Sequence, residues 1–213
     1  MVTRGNGVAV IVVWGWRVRH KTLSEGTFFS PATGQDGPYR LVEARRWFTL
    51  FWIPLIPLKV VGTFVECRVT KNLYDPKILE SPTNAQLVDD LAAAAREVVA
   101  AVASADGAVT ARQRKAALEV VGSYSEGYDR DSLRADIGRV PEVDLSERLG
   151  TIAGSLTEQG KERLLDGAAR VLVADGDPGE RGREVLDEVG AGLGMSAAHV
   201  RGVVDTAVSA AAS

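Results

Sequence analysis

Ala105-Asp106-Gly107 and Ala174-Asp175-Gly176 each close an apolar, alanine-rich run, and reading them as a pair decides the fold. The two aspartates are 175 − 106 = 69 residues apart. Glycine at the end of a helical run supplies the positive φ that stops a helix. A helix closing on Asp-Gly, then a short link and another helix, twice over, predicts an internally duplicated all-α domain. Upstream of the first stop, Leu87, Leu91, Ala94, Ala95, Val98, Val99 and Val102 fall at i, i+3, i+4 spacing and form one apolar face. Downstream, Thr110 and Gln113 have the spacing of a capping box, and Ala116, Ala117, Val120 and Val121 point inward. Asp129 or Asp131 opens a short helix, and Asp144 to Glu147 starts another. Thr157 caps the second copy, whose face is Leu164, Leu165, Ala168, Ala169, Val171 and Leu172. Pro178 stands where a helix begins. Leu186, Val189 and Leu193 follow, then Gly194, and Ser196 caps a last helix bearing Val200, Val203, Val204 and Val208. About seven helices with short connections are expected over residues 86–213.

The 213-residue chain is 46% hydrophobic and 25% charged, an ordinary composition for a packed core. Its net charge of −3 gives no general case for nucleic-acid binding. The average hides an asymmetry. Residues 1–85 carry 11 Lys+Arg and 6 Asp+Glu, a net of +5, and hold all four Trp and all five Phe. The remainder has 25 − 11 = 14 basic and 28 − 6 = 22 acidic residues, a net of −8. A basic, aromatic front and an acidic, Ala/Val-rich back predict two domains, 1–80 and 86–213, joined by a polar linker at 81–85. One cysteine, Cys67, excludes an internal disulfide framework. No secretory leader is evident, and Trp47–Val61 is too short and too proline-rich for a membrane span. The expected location is cytoplasmic.

In the front domain, Val8–Val13 reads as a strand, followed by the basic patch Arg17, Arg19, His20 and Lys21. A turn-rich segment runs from Phe28 to Pro38. Tyr39–Glu43, Arg46–Trp52 and Gly62–Val69 read as further strands. Pro54 and Pro57 require an edge or a bulge, because proline cannot donate to a ladder. The sum is a small all-β unit of the size that usually needs a staple such as a metal.

Val13-Trp14-Gly15-Trp16, Phe28-Phe29-Ser30-Pro31-Ala32-Thr33-Gly34, the block from Arg45 to Leu58, and Val65-Glu66-Cys67-Arg68-Val69-Thr70 together resemble a bacterial zinc-ribbon family. In that family two Cys-x-x-Cys knuckles flank a strand like Thr49–Pro57. The resemblance puts the knuckle positions on Ser30, Thr33, Cys67 and Thr70, so one thiolate of four remains. Zn²⁺ needs about four Cys, His or carboxylate ligands. Zinc is therefore not expected, and the ribbon is expected to be held by Trp and Phe packing, with Cys67 a small core hydrophobe. Trp47, Trp52, Ile53 and Leu55 are candidates for an exposed patch that meets a partner or a membrane surface.

The back domain resembles the TerB-like (tellurite-resistance) family, whose mark is a helix ending in Ala-Asp-Gly, an acid at the start of the next helix, and a repeat after some 60–70 residues. The fold class expected is thus α+β: a zinc-ribbon-like β domain and a TerB-like helical bundle. The resemblance implies a non-enzymatic binding or sensing adaptor in a bacterial stress response, with a protein partner, no nucleic acid, and membrane contact through partners. Its alternative is a divalent-cation protein. Asp106 and Asp175 match the family's aspartates, with Asp177 and Glu180 as added carboxylates. The family's following acid falls on Gln113 in one copy and Gly182 in the other. No catalytic residues are expected, since His20 and His199 stand in different domains and no Ser/His/Asp or Cys/His arrangement can be assembled. Gly190, Gly192 and Gly194 follow no strand and are not a dinucleotide loop.

Overall fold

A computed structural model describes residues 14–50, 53–176 and 178–211. It is an α+β chain, with a four-stranded antiparallel sheet followed by helices. The chain divides into two compact units, Met1–Asn84 and Ala85–Ser213.

In the first unit β1 (Trp14–Ser30), β2 (Gln35–Leu50), β3 (Ile53–Cys67) and β4 (Leu73–Tyr74) form a meander in chain order. The first three strands are 17, 16 and 15 residues long, well beyond the usual strand of about 5–6 residues. Sequence reading broke this region too often. The expected turn-rich stretch is one tight turn at 31–34, and two of the expected strands are a single strand, β2. The reason is pairing. Arg40 and Glu66 clasp each other across β2 and β3 with two short bonds of 2.9 Å from Nη2. The ladder absorbs its irregularities as bulges, at Thr22/Ser24 in β1 and at three points between Ala44 and Thr49. Pro54 and Pro57 lie in β3, opposite Thr49 and Trp47, beside two of those bulges. β4 pairs with β3 only at Val65 and Glu66, so among the described residues the prolines stand on a sheet edge. The strand read at Val8–Val13 lies outside the described residues.

The core of this unit sits at one end of the sheet. Phe28, Val65 and Cys67 are buried there under Tyr39, Leu41, Tyr74, Ile78 and Leu79. Phe28 meets Tyr39 and Tyr74 edge-on, with ring centroids 5.8 and 5.6 Å apart. Phenylalanine and tyrosine fill this core; of the tryptophans expected to share in it with phenylalanine, Trp16 is 58% exposed and Trp47 is half-buried.

The second unit has seven α-helices among the described residues: α1 (Asn84–Ser104), α2 (Ala111–Gly122), α3 (Arg130–Arg139), α4 (Leu145–Ala153), α5 (Glu158–Leu172), α6 (Glu180–Gly192) and α7 (Ala197–Ala211). Their ends follow the side-chain chemistry. Thr110 and Gln113 close a reciprocal capping box. Asp129, Asp144 and Thr157 accept from backbone N–H groups at the starts of α3, α4 and α5. Gly107 and Gly176 stop their runs at φ +114° and +113°, and Gly194 at +72°. A large core gathers α1, α4, α5, α6 and α7 around Leu149, Leu164, Leu165, Leu186 and Leu193. A smaller one joins α1, α2, α3 and α5 through Val99, Ala117, Val121, Leu133 and Val171. No helix among the described residues is long and apolar enough to cross a membrane.

Candidate functional site

The sheet extends well past its core, and the far end is where apolar side chains meet solvent. Register places Trp16, Phe48 and Ile56 on one rung, Arg17, Trp47 and Pro57 on the next, and Leu50 opposite Ile53 at the end. Trp16 and Phe48 meet edge-on at 5.5 Å. Ile53 is 59%, Leu55 51% and Ile56 54% exposed; Val18, Val60 and Val61 are exposed too. Trp47 is half-buried, and Trp52 lies outside the described residues. Side chains alternate between faces along a strand, so both faces of this end carry apolar groups. Behind them come Arg17, Arg19, Lys21, Arg45, Arg46 and Lys59. Segments 14–22 and 45–62 contain no Asp or Glu. The nearest acid along β2 is Glu43, which pairs with Arg45 at 3.2 Å.

At the other end of the sheet the four knuckle positions form two turns of the same shape. The N–H of Gly34 donates to the Ser30 carbonyl, and that of Lys71 to the Cys67 carbonyl, both at 2.9 Å. Each turn ends on a positive φ, +66° at Gly34 and +63° at Lys71. Cys67 is buried, and its Sγ accepts from the Thr70 N–H at 3.5 Å. Burial pushes the thiol pKa up, but hydrogen bonds from Thr70 and from the backbone at Val69 outweigh it. The thiol is held below its ordinary value. Ser30 adds a weaker pull from the same side, and its buried hydroxyl has no well-formed hydrogen bond. Thr33 closes its turn on the Ser30 carbonyl at 3.4 Å. The thiol is thus set among hydroxyls, which do not make a zinc-binding set.

In the helical unit Asp106 and Asp175 are both exposed. Asp106 reaches across to the start of α6. A Cβ added at Gly179 would overlap its carboxyl group, and one at Gly182 would come within 2.8 Å of Oδ2. Those glycines flank the start of α6, whose N-cap Gly179 offers no side-chain bond. The Asp106 carboxylate therefore sits at the positive end of α6. Asp175 closes a short 3-10 turn that packs against α2. Glu180 is exposed in the first turn of α6, and Asp177 lies outside the described residues. Among the described residues no three His, Cys, Asp or Glu side chains gather as a metal-binding group.

Sequence reading missed the most elaborate polar cluster. Asp136 on α3 is 5% exposed. It accepts two bonds of 2.9 Å from Arg96 of α1, one of 2.8 Å from the Tyr128 hydroxyl, and one from Arg139. The Arg96 guanidinium also lies over the Tyr128 ring, 5.3 Å from its centroid. Burial pushes the Asp136 carboxyl up; the bonds from Arg96, Tyr128 and Arg139 more than offset this and hold it low. Burial and the bond to Asp136 push the Tyr128 phenol up. A cavity of about 150 Å³ opens beside the cluster, between Arg96, Glu97, Arg139, Val140 and Leu145. The available signal was an acid on an apolar stripe: Asp136 lies three residues after Leu133 and just before Ile137. Because both arginines are spent on Asp136, the cluster ties α1 to α3 and leaves little charge for a ligand.

No protein-family model, curated protein or solved structure matches the chain.

Proposed function

We propose that the chain is a non-enzymatic binding adaptor of TerB-like type, in which a ribbon-like sheet makes the contact and the helical unit is its scaffold. The observation that carries this reading is the exposed apolar end of the sheet, where Trp16, Ile53, Leu55 and Ile56 stand in solvent. Single exposed apolar residues are ordinary, whereas a contiguous set marks an interaction surface. The TerB-like assignment is supported by the two Asp-Gly stops, whose glycines have φ of +114° and +113°, and by Asp106 lying at the start of α6. The zinc-less ribbon is supported by the paired turns at Ser30–Gly34 and Cys67–Lys71. A role in stress tolerance follows from the resemblance and is testable in the source organism. Replacing the native gene with an Ile53→Ser/Ile56→Ser variant should lower growth on tellurite or peroxide while protein abundance stays unchanged. Unchanged tolerance at equal abundance removes the contact role of the sheet.

A further inference from the structure

We infer that the far end of the sheet docks on an anionic lipid bilayer. The inference rests on the adaptor reading of the same surface and names its partner. The order of residues along the strands carries it. Outermost comes Ile53, then Leu55, then the rung of Trp16, Phe48 and Ile56, then that of Arg17, Trp47 and Pro57, then Arg46, Lys59, Arg45 and Arg19, and behind them Lys21. A bilayer has the same layering: hydrocarbon, an interface that favours tryptophan, and a negatively charged headgroup layer. From the Trp47–Pro57 rung to the Leu50–Ile53 rung is three residues, roughly 10 Å at the rise of a strand. That matches the roughly 5–10 Å to which interfacial elements bury their apolar side.

Two further observations favour lipid over a folded protein. Apolar side chains stand on both faces of the sheet end, with Trp16 and Ile56 on one and Pro57 and Val60 on the other. A fluid phase surrounds such an end, while a rigid partner covers one face. The apolar edge strand also carries Pro54 and Pro57, which remove two backbone donors that would otherwise need partners in a dry medium. The remaining edge N–H and C=O groups keep the insertion shallow. Charge points to the sign of the lipid: six cations and no carboxylate lie in segments 14–22 and 45–62.

The chain supplies its own probe, because all four tryptophans lie at or before residue 52. Full-length protein is mixed with vesicles of phosphatidylcholine alone or of phosphatidylcholine with phosphatidylglycerol, then read by co-sedimentation and tryptophan emission. The expected result is binding and a blue shift with the anionic vesicles, weakened by high salt. Arg46→Gln/Lys59→Gln should weaken binding about 25-fold, at about fivefold per cation. Ile53→Ser/Ile56→Ser should abolish the blue shift. Both substitutions fall on exposed positions, and an unchanged far-UV circular dichroism spectrum and melting curve show that the fold is kept. Absence of binding to anionic vesicles overturns the inference, as does equal binding by the folded variants or by neutral vesicles. Binding to a poly-glutamate peptide or to a DNA duplex with vesicles inert overturns it too. If vesicles fail but Ile53→Ser/Ile56→Ser still lowers stress tolerance, only the lipid assignment falls and the adaptor reading stands.

Discussion

Asp136 shows how much one buried carboxylate can govern. Removing its charge leaves Arg96 without its partner, and breaking a buried pair costs about 3–5 kcal/mol. Arg96 is about one-third exposed, so Asp136→Asn is expected at the low end, about 3 kcal/mol. The pH dependence follows from the direction of the shift. The folded carboxyl is held below its ordinary value of 3.8. Its stabilisation is therefore complete above about pH 4 and is lost as pH falls through the folded pKa. Denaturant midpoints of wild type and Asp136→Asn should differ widely near neutral pH and converge as pH falls below the ordinary carboxyl value of 3.8. A constant gap across that range would show that the carboxylate charge is not what stabilises. The phenol of Tyr128 is shifted the other way. Its contribution holds below the ordinary tyrosine pKa and declines as pH rises beyond it, so Tyr128→Phe should flatten the alkaline limb.

At the scale of elements, the helices are legible through their stops and caps, and the structure shows what stands at the two positions where the resemblance expects an acid. Gln113, where the resemblance expects an acid, is buried and closes the capping box with Thr110. Gly182, the matching position, leaves space for Leu172 and for the Asp106 carboxylate. The local reason for Gln113 was visible in the sequence as a capping box, whereas that for Gly182 lies partly in Asp106, 182 − 106 = 76 residues away. Gly182→Ala would drive a methyl into buried Leu172 and should cost about 1–3 kcal/mol. Gly179→Ala meets only the exposed end of Asp106, which can swing away, so its cost should be well below that of Gly182→Ala. Thermal melts of the two variants decide this, and equal losses would contradict the packing described. The knuckles make an element-scale prediction of their own. If the two turns keep ribbon geometry, Ser30→Cys/Thr33→Cys/Thr70→Cys rebuilds a Cys₄ set around Cys67. The triple variant should take up stoichiometric zinc by elemental analysis and melt higher with metal than with chelator. A variant that folds but stays metal-free would show that the turns do not face each other as a zinc site.

At the scale of the whole molecule, the basic-aromatic front and acidic helical back were legible because each kind of core leaves its own mark. Helical period and caps report local geometry, so the seven helices could be placed from sequence. Strand lengths could not, because Gly37, Pro38, Pro54 and Pro57 read as breaks, while the ladder runs through Gly37 and Pro38 in register and passes Pro54 and Pro57 beside bulges. The exposed end of the sheet was half legible. Ile53 and Leu55 stood out as apolar residues beside prolines, but their alignment with Trp16 needed the register. The two units have separate cores, one built on Phe28, Val65 and Cys67, the other on the helix faces. Since every tryptophan is in the first unit, its emission reports the sheet, while circular dichroism reports mainly the helices. Asp136→Asn should lower the dichroism midpoint by roughly 10 °C, from about 3 kcal/mol at about 3–4 °C per kcal/mol for a unit of this size. The tryptophan midpoint should stay within about a degree of wild type if the cores unfold independently. A common shift of both midpoints would mean that the sheet and the helices unfold as one cooperative unit, because the substitution lies wholly within the helical core.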